Sequence, residues 1–522
     1  MGLLLGLDFG TGGVRVGLID PARRQTIATA EETYRTDFPH PGWAEQSPSD
    51  WWDALGRACR RMMTAAGRPT VSGVAVATTA STVVACRRDG TPLRPALLWM
   101  DCRAAAEASR TALADHPVMA QSGGGDAAEW LVPKAMWLAA HEPDIYDAAD
   151  IVCECLDWLN HRLCGEWVAS RMNATCKWNF DGDEGRLHPA LYDALGAPGL
   201  ADRLPPRIVP VGAPIDRITD HAARHLGLEG QRPVLSQGGI DAHIGMLGAD
   251  TLAPGRMLMI GGTSVVHLFH LAAPRPMPGF WGPYPHALTD GMWLVEGGQV
   301  SAGSVLNWLS ERIFRLDGAG TRALIAEASA LPETPGLLTL DYFMGNRTPY
   351  RDPHLRGAVL GLSLGHDRAA LYRSAVDGVA LASANVVRQA AGLGVPIDHV
   401  VTAGGIGRNP LWLRATVDAV GLPVTLAADE NLTLVGTAAA AATGIGMFRA
   451  LPEAAAALAR GGTVIDPDPK VHARYAAGLD AYRDATERLT PLLHDLAEKG
   501  MKAVPPPSAA RSRQEAAHVP AG

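Results

Sequence analysis

The sequence lacks both an excess of positive charge and a long apolar run, and each absence excludes a class of protein. Its formal net charge is −8 over 522 residues, whereas a nucleic-acid partner requires a basic face. No run of about 18 apolar residues is present, and the start MGLLLGLDFG lacks the basic segment of a secretory signal. We therefore expect no nucleic-acid partner, no membrane association and a cytoplasmic location.

Cysteines are few and unevenly spaced. There are seven of them, and Cys153-x-Cys155, followed by Cys164 and Cys176, does not have the C-x2-C spacing of common zinc sites. The stretch IVCECLDWLNHRLCG (151–165) is instead predicted to be a helix. We expect buried, reduced thiols rather than metal ligands or disulfides.

Two common nucleotide-binding motifs are also missing. The sequence contains no G-x-x-x-x-G-K-[ST], and no G-x-G-x-x-G follows a strand and opens a helix. Three other glycine-rich loops are present: DFGTGG (8–13), GGTS (261–264) and AGGIGRN (403–409). Glycines allow several backbone N–H groups to point at one anion, and threonine hydroxyls add donors. Each loop alone could be an ordinary tight turn, but the three together favour a phosphate site.

The chain is too long for one hydrophobic core, so two domains are expected. Short turns join the first strands, which predicts an antiparallel meander rather than a βαβ unit. The predicted elements of this first part are strands at Leu3–Leu7, Val14–Ile19 and Thr26–Glu31, a helix at Trp51–Ala66, and strands at Ser72–Thr78 and Val83–Arg88. Helices are predicted over much of 103–163.

A similar order of elements restarts in the second half. Residues 255–270 are again predicted to form a strand, a Gly-Thr turn and a strand, which is a weak internal repeat. A strand, glycine loop, helix and strand follow over 399–426, and 434–446 is a helix of small residues able to pack closely. We expect an α/β protein with domains at 1–247 and 248–470, a C-terminal helix at 471–502 and a disordered tail at 503–522.

Asp8 is an unusual residue for the end of an apolar strand, because a buried carboxylate needs a cation. A Mg²⁺ ion that carries nucleotide phosphates would neutralise it, in contact through water. Thr11 could then donate a hydrogen bond to a phosphate oxygen. Arg15 lies on the following strand, where a surface salt bridge is the alternative to a phosphate contact.

Asp241 follows two glycines at the end of a predicted strand and begins an apolar helical stretch, in LSQGGIDAHIGMLG (235–248). Helix capping is its ordinary role. Phosphoryl transfer to an alcohol, however, needs a carboxylate within hydrogen-bond reach of the attacking hydroxyl. Because Asp241 lies at the predicted junction between the domains, it is a candidate general base, and the two roles are compatible.

Two further candidates are polar residues in unusual surroundings. Lys177 lies in NATCKWNF, and Glu296 lies with Gln299 in WLVEGGQVS, after a predicted strand. Taken alone, the lysine fits a solvated helix surface and the glutamate fits a turn. From these residues alone, the ordinary interpretations are favoured over a functional role.

Six segments, taken in order, resemble the FGGY family of carbohydrate kinases: DFGTGGVR, PGWAEQ, WMDCRA, GGIDAHIGMLG, GGTS and TAGGIGRN. The resemblance covers about residues 3 to 450. Within the family the chain is most similar to the ribulokinase-like pentulose kinases, through GGIDAH, GFWGPY (279–284), WLVEGGQ and FMGNRTP (343–349).

The resemblance implies two ribonuclease H-like domains of the actin and hexokinase type, with ATP and Mg²⁺ in the cleft between them. It implies that Asp241 is the catalytic base and that Lys177 and Glu296 bind the sugar, with Ser81, Thr82, Glu129 and Trp130 where the family lines the sugar pocket. The implied nucleotide-binding positions are Asp8, Gly10, Thr11, Gly12, Gly13, Gly261, Gly262, Thr263, Ser264, Gly404, Gly405 and Asn409.

The expected activity is ATP-dependent phosphorylation of a ketopentose, ribulose first, at its C5 hydroxyl. Xylulose or a polyol such as ribitol, xylitol or glycerol is the alternative acceptor, since a few hydrogen bonds decide such a choice. A regulatory ATPase that needs no sugar is the alternative from another class. GFWGPY and the Trp-rich helices are candidates for a homodimer interface, although aromatic stretches are more often core.

Overall fold

The computed structural model describes residues 2–331 and 336–503, so the predicted tail lies, beyond Ala503, outside the described residues. A six-stranded sheet organises the first half of the chain. Its strands are β1 (Leu3–Phe9), β2 (Gly13–Asp20), β3 (Gln25–Thr33), β5 (Val71–Thr78), β11 (Pro214–Arg217) and β12 (Val234–Ile240). They lie in the order β11-β12-β5-β1-β2-β3.

A seven-stranded sheet organises the second half. Its strands are β13 (Arg256–Gly261), β14 (Val265–Leu271), β15 (Trp281–Pro285), β16 (Trp293–Gln299), β19 (His399–Gly404), β20 (Val424–Ala427) and β21 (Gly462–Ile465). Their order is β15-β16-β14-β13-β19-β20-β21. Smaller sheets are built from β4 (Glu45–Gln46), β6 (Val83–Cys86), β7 (Ala96–Leu97) and β8 (Ile151–Glu154), from β9 (Val168–Ser170) and β10 (Arg207–Val209), and from β17 (Leu338–Leu340) and β18 (Ala358–Leu360).

Helices cover both large sheets. Those of the first half are α1 (Pro48–Ala65), α2 (Ala105–Thr111), α3 (Leu131–His141), α4 (Pro143–Ala148), α5 (Cys155–Cys164), α6 (Arg171–Lys177), α7 (Pro189–Leu195), α8 (Leu200–Arg203), α9 (Asp220–Leu226) and α10 (Asp241–Gly248). Those of the second half are α11 (Gly303–Asn307), α12 (Gly318–Ala330), α13 (Arg368–Gly392), α14 (Pro410–Val420), α15 (Leu432–Gly444), α16 (Leu451–Leu458) and α17 (Pro469–Ala503).

The internal repeat is present in the structure as two hairpins with the same plan. Strand β1 is antiparallel to β2 and parallel to β5, while β13 is antiparallel to β14 and parallel to β19. The order β3-β2-β1-β5-β12 in the first sheet corresponds to β16-β14-β13-β19-β20 in the second. The predicted meander at the N-terminus and the strand–turn–strand unit at 255–270 are therefore both confirmed.

The small-residue helix α15 joins the two halves of the chain. It packs on β1, β5 and β12 of the first sheet and against α10. The approach is close, because a Cβ atom added to Gly6 of β1 would lie 2.5 Å from Oγ1 of Thr437. The predicted close packing is thus observed, and the partner surface is the sheet at the start of the chain.

Three local predictions are corrected. Strand β1 runs to Phe9 rather than Leu7, so Asp8 lies inside the strand, opposite Arg15. Residues Ile151–Glu154 form strand β8, not helix, because these buried residues pair with β6, and helix α5 begins only at Cys155. Glu296 lies within β16 rather than after a strand.

Most of the cysteines, and two rings of the GFWGPY segment, are buried. All seven cysteines are free thiols, and six of them are buried, with Cys102 exposed. Phe280 and Tyr284 of the GFWGPY segment are fully buried, so these two rings belong to the core. Within residues 2–331 and 336–503, no helix is long and apolar enough to cross a bilayer.

Candidate active site

Asp8 and Asp241 lie at the same edge of the first sheet. Strands β1, β5 and β12 are parallel neighbours, so their carboxyl ends meet at one edge. Asp8 is the penultimate residue of β1, and Asp241 follows β12 directly as the first residue of α10. Both carboxylates are half-buried. The topology therefore brings together two acids that are 233 positions apart in the sequence.

Both acids hold protons more tightly than usual. Burial raises the pKa of Asp241 to about 7, and the neighbouring charges of Asp8 and Glu296 add to the effect. Burial likewise raises the pKa of Asp8 to about 6, although Asn431 and Arg15 oppose the shift. A carboxyl group that titrates near neutral pH is suited to general-base work. A site with two such acids also attracts a cation.

The first turn of α15 contacts both acids. Nδ2 of Asn431 donates to Oδ2 of Asp8 at 3.2 Å, and Oγ1 of Thr433 donates to the backbone carbonyl of Asp241 at 3.2 Å. Oδ1 of Asn431 meanwhile caps α15 by accepting from the N–H of Leu434 at 2.9 Å. Neither Asn431 nor Thr433 was predicted to be a site residue. The available signal was an asparagine three residues before the apolar stretch of a helix, which is typical of a cap.

The turn after β1 leaves open space where a ligand could approach. A Cβ atom added to Gly12 would meet nothing within 4 Å, and one on Gly10 would meet only the carbonyl of Gly13 at 3.7 Å. At Gly13, by contrast, the carbonyl of Glu32 lies 2.6 Å away. Packing therefore requires Gly13, whereas Gly10 and Gly12 keep a surface clear.

The polar side chains of this turn have protein partners. Oγ1 of Thr11 accepts a hydrogen bond from Nε1 of Trp99 at 2.9 Å. Arg15 is 42% exposed and pairs with Glu31 of β3 at 3.2 Å, as in the salt-bridge alternative. In this structure, Thr11 is thus oriented by an indole, and Arg15 contributes to the site through its charge.

The turn after β13 is held by the start of α11. The backbone carbonyl of Thr263 accepts from the N–H groups of Ala302 and Ser304, each at 3.1 Å. The side chains of Thr263 and Ser264 are exposed. Gly404 has a φ of 91°, and a Cβ atom there would lie 2.6 Å from the carbonyl of Gly261. The GGTS turn and the AGGIGRN loop are therefore in contact.

A cavity of about 600 Å³ continues from Thr263. Its lining includes Ser304 and Asn307 of α11, with Trp308 and Phe343 as aromatic walls. None of the lining residues beyond the turn was predicted. The signal in SAGSVLN (301–307) was a run of small residues followed by an amide, directly after a strand.

Asn409 lies at the end of the glycine loop, and both polar atoms of its side chain are hydrogen-bonded within the protein. Its Oδ1 caps α14 by accepting from the N–H of Trp412 at 3.1 Å, and its Nδ2 donates to the Tyr372 hydroxyl at 3.1 Å. Gly404 and Gly405 are exposed, so their backbone is what this loop offers to a ligand.

A second charged cluster lies next to Asp241. Nζ of Lys177 is 3.1 Å from Oε2 of Glu296, and Nε2 of His243 is 3.6 Å from the same oxygen. Although burial opposes the shift, the Lys177 and His243 side chains hold the pKa of Glu296 well below its ordinary value. Lys177 is only 5% exposed, which is contrary to the solvated helix surface that is ordinary for lysine.

Aromatic rings surround this cluster. The Lys177 ammonium lies 4.7 Å from the ring centre of Trp130 and 5.9 Å from that of Tyr284. Within the described residues, the Tyr284 hydroxyl and Nε1 of Trp281 are buried without a hydrogen-bond partner. Buried polar atoms normally have partners. A bound molecule with several hydroxyl groups is one that could supply them.

Ser81 and Thr82 are buried, and their hydroxyls are engaged by the protein. Oγ of Ser81 donates to Glu154 at 2.8 Å. Oγ1 of Thr82 accepts from the backbone N–H of Trp99 at 3.1 Å. Since Trp99 in turn donates to Thr11, Thr82 helps to orient the first glycine turn.

Comparison with known proteins identifies the family of the chain. The model of the FGGY carbohydrate kinase N-terminal domain matches residues 3–248, and that of the C-terminal domain matches residues 257–445. An "FGGY carbohydrate kinase domain-containing protein" of Danio rerio is 30% identical over 519 residues, which cover 90% of this chain and 95% of the relative.

Two bacterial sugar kinases are similarly related. A ribulokinase of Mycolicibacterium smegmatis is 30% identical over 540 residues, covering 94% of this chain and 95% of that protein. The solved structure of a xylulose kinase from Rhodospirillum rubrum superposes with a TM-score of 0.83 at 28% identity, covering 94% of this chain and 100% of that one. The chain is therefore a phosphotransferase that belongs to the FGGY family of carbohydrate kinases.

Proposed function

We propose that this kinase transfers the γ-phosphoryl group of ATP to the C5 hydroxyl of a ketopentose, with ribulose as the first candidate. The observation that carries the proposal is the position of Asp241. Burial raises its pKa to about 7, and the charges of both Asp8, next to the first glycine turn, and Glu296, of the Lys177 cluster, raise it further. A general base needs a phosphate donor on one side and a polar acceptor pocket on the other.

The acceptor sugar would occupy the pocket formed by Lys177, Glu296 and the aromatic rings. The Lys177 ammonium can donate to a sugar oxygen, and the ionised Glu296 can accept from a hydroxyl. His243 keeps Glu296 ionised from the adjacent helix. The unpartnered hydroxyl of Tyr284 and the indole N–H of Trp281 add two groups that a ketopentose can satisfy.

The nucleotide would lie along the two glycine turns, with its base in the cavity beside Thr263. The open surface above Gly10 and Gly12 and the exposed backbone of Gly404 and Gly405 suit a polyphosphate. Asp8 fits a magnesium ion, because carboxylate oxygens are ligands that Mg²⁺ prefers. Its pKa is raised, and the side chain that donates a hydrogen bond to it, Asn431, is a neutral amide. Bound Mg²⁺ would neutralise phosphate charge during transfer.

The protein contributes mainly by positioning the two reactants. Asp241 accepts the proton of the C5 hydroxyl, the hydroxyl oxygen bonds to the γ-phosphorus, and the bond to the β–γ bridging oxygen breaks to release ADP. Backbone N–H groups of both turns stabilise the equatorial oxygens. Holding the reactants in line can supply on the order of 7–11 kcal/mol.

The test is ADP release with Mg·ATP and a panel of D- and L-ketopentoses, ketohexoses and polyols. We expect Asp241→Asn to lower kcat with the preferred sugar at least ~100-fold. The matched control is Asp250→Asn, an exposed acid just after the same helix that pairs with Arg256 at 3.2 Å. Equal turnover in the wild type and Asp241→Asn would refute the assignment of the base.

A xylulose kinase is the second candidate, favoured by the structural likeness to the Rhodospirillum rubrum enzyme. The same panel distinguishes it from a ribulose kinase, and a response confined to ribitol, xylitol or glycerol would identify a polyol kinase. Turnover that does not depend on added sugar would instead identify a regulatory ATPase.

Several wider expectations accompany this proposal. The proposed domains are residues 1–247, with the sugar site and the first phosphate turn, and residues 248–470, which bind the nucleotide. The seven free thiols fit a reducing compartment such as the cytoplasm. The proposal includes a homodimer, which light scattering would measure, with the buried Phe280 and Tyr284 outside its contact surface.

A further inference from the structure

The loop between α6 and α7 carries a cluster of side chains that the kinase chemistry does not use. Asp181, Glu184 and His188 each place a possible ligand atom within 4.8 Å of the other two. The loop sequence is DGDEGRLH (181–188). One imidazole and two carboxylates form a mixed nitrogen and oxygen donor set.

The carboxylate of Asp181 is already oriented. Its Oδ1 accepts hydrogen bonds from Nε2 of Gln121 at 3.0 Å and from the backbone N–H groups of Asp183 at 3.0 Å and Glu184 at 2.9 Å. Oδ2 faces Nε2 of His188 at 3.6 Å. One oxygen is therefore fixed by the loop, and the other remains directed at the imidazole.

The buried ring of His188 independently supports a bound ion at this loop. Its side chain is 8% exposed, and within the described residues its Nε2 has no hydrogen-bond partner. An orphaned, buried ring nitrogen that points at a carboxylate is unusual unless something lies between them.

The separation of these two atoms suits a shared ion. At 3.6 Å it is too long for a hydrogen bond, which spans roughly 2.7–3.2 Å. Two ligands about 2.0–2.2 Å from one tetrahedral ion lie roughly 3.4 Å apart. Glu184 is 54% exposed, so its carboxylate can move toward such an ion by leaving its partner Arg186.

We propose that Asp181, Glu184 and His188 bind one divalent transition-metal ion of the Zn²⁺ class. The ion would brace the loop that follows Lys177 of the acceptor pocket. Gln121 extends this brace, because its Oε1 also accepts from the N–H of Gly182 at 3.1 Å. The role is structural, and it does not depend on which sugar the enzyme accepts.

The test uses full-length protein stripped with a chelator and then titrated with Zn²⁺ by calorimetry, and with Co²⁺ by visible absorption. We expect one ion per chain at this loop, with a Kd below about 10 µM, and a higher Tm once Zn²⁺ is bound. Glu184→Gln and His188→Gln should each weaken binding at least ~10-fold. Neither change removes the hydrogen bonds that hold Asp181.

Two matched variants make the result specific. Asp183→Asn removes an acid of the same loop that faces His286 rather than the cluster, and Asp8→Asn removes the proposed Mg²⁺ site. Both should bind Zn²⁺ at this loop as the wild type does. Failure of the wild type to bind at about 100 µM Zn²⁺, or equal binding by wild type, Glu184→Gln and His188→Gln, would overturn the proposal.

Discussion

The two glycine hairpins share one backbone plan and differ in the residue that each carries before its turn. In the first hairpin that residue is Asp8, which lies opposite Arg15 of β2 and beside Ala77 of β5. In the second, the equivalent position is Ile260, opposite Val266 of β14, and its parallel neighbour is again an alanine.

Because of this difference, the two turns are suited to different ligands. The first hairpin places a carboxylate at the edge of the first sheet, where Asn431 of α15 contacts it. The turn of the second hairpin carries no charged side chain, and it is instead braced by the N–H groups of Ala302 and Ser304. One turn is therefore suited to a cation and the other to anionic oxygens. Two hairpins with one backbone plan thus carry unlike turns.

The largest expected effect comes from removing the acid of the first hairpin. Asp8→Asn keeps the shape of the side chain but loses the charge that would hold the cation on the phosphates. We expect kcat with Mg·ATP and the preferred sugar to fall on the order of 100-fold. Steady-state rates of sugar-dependent ADP release measure it.

The matched control for Asp8→Asn is Ile260→Val in the second hairpin. It changes the equivalent position without adding or removing charge, so its kcat should stay within about twofold of the wild type. If Asp8→Asn retained more than a third of the wild-type kcat, the comparison between the hairpins would lose its chemical basis.

Replacing a glycine by alanine should have different effects in the two halves of the chain. A Cβ atom at Gly12 meets no protein atom within 4 Å, whereas one at Gly404 would lie 2.6 Å from the carbonyl of Gly261 in a backbone with φ of 91°. Gly12→Ala should therefore fold normally but raise the KM for ATP about 10-fold. Gly404→Ala should lower the free energy of unfolding by roughly 1–3 kcal/mol.

Urea denaturation and ATP titration of both glycine variants measure this contrast. A destabilised Gly12→Ala with an unchanged KM for ATP would show that the first turn serves the fold rather than a ligand.

The two turn threonines give a smaller contrast. The Thr263 hydroxyl is exposed, so Thr263→Val should raise the KM for ATP about 3- to 5-fold with little change in Tm. Thr11→Val leaves Nε1 of Trp99 without its acceptor, which should cost about 1 kcal/mol of stability. Thermal melts and ATP titrations test both variants, and the reverse assignment of effects would contradict the geometry.

Much of this arrangement could be predicted from the sequence because its signals are local. The Gly-Thr turns lie between apolar strands, and Asp241 begins an apolar helix after two glycines, so pattern alone located them. The family resemblance then implied roles for Lys177 and Glu296. What the pattern could not give is burial, since Lys177 is hidden by rings from distant segments.

The residues that were missed depend on long-range packing. Asn431 and Thr433 reach the two acids only because α15 crosses the first sheet. His243 matters only because β16 brings Glu296 next to it. The strand Ile151–Glu154 was mistaken for helix because its pairing with β6 overrides local helical preference.

The smallest expected effect is a pH dependence of stability that comes from Asp8 and has no counterpart at the equivalent position, Ile260. The pKa of Asp8 is about 6 in the folded protein, against 3.8 ordinarily, so the folded state holds this proton more tightly than the unfolded state does. The stability that this proton contributes is complete below about pH 4 and is lost as the pH rises through 6.

Asp8→Asn removes that titration. Without ligand, its Tm should match the wild type near pH 4 and exceed it at pH 7.5 by a few degrees, since a partly exposed carboxylate contributes about 1–2 kcal/mol here. Ile260→Val, which removes no titrating group, should show the same Tm difference from the wild type at both pH values. Adding Mg·ATP should reverse the order at pH 7.5, because the wild-type carboxylate then has its cation. A variant less stable than the wild type at pH 7.5 without ligand would mean that Asp8 is already neutralised within the protein.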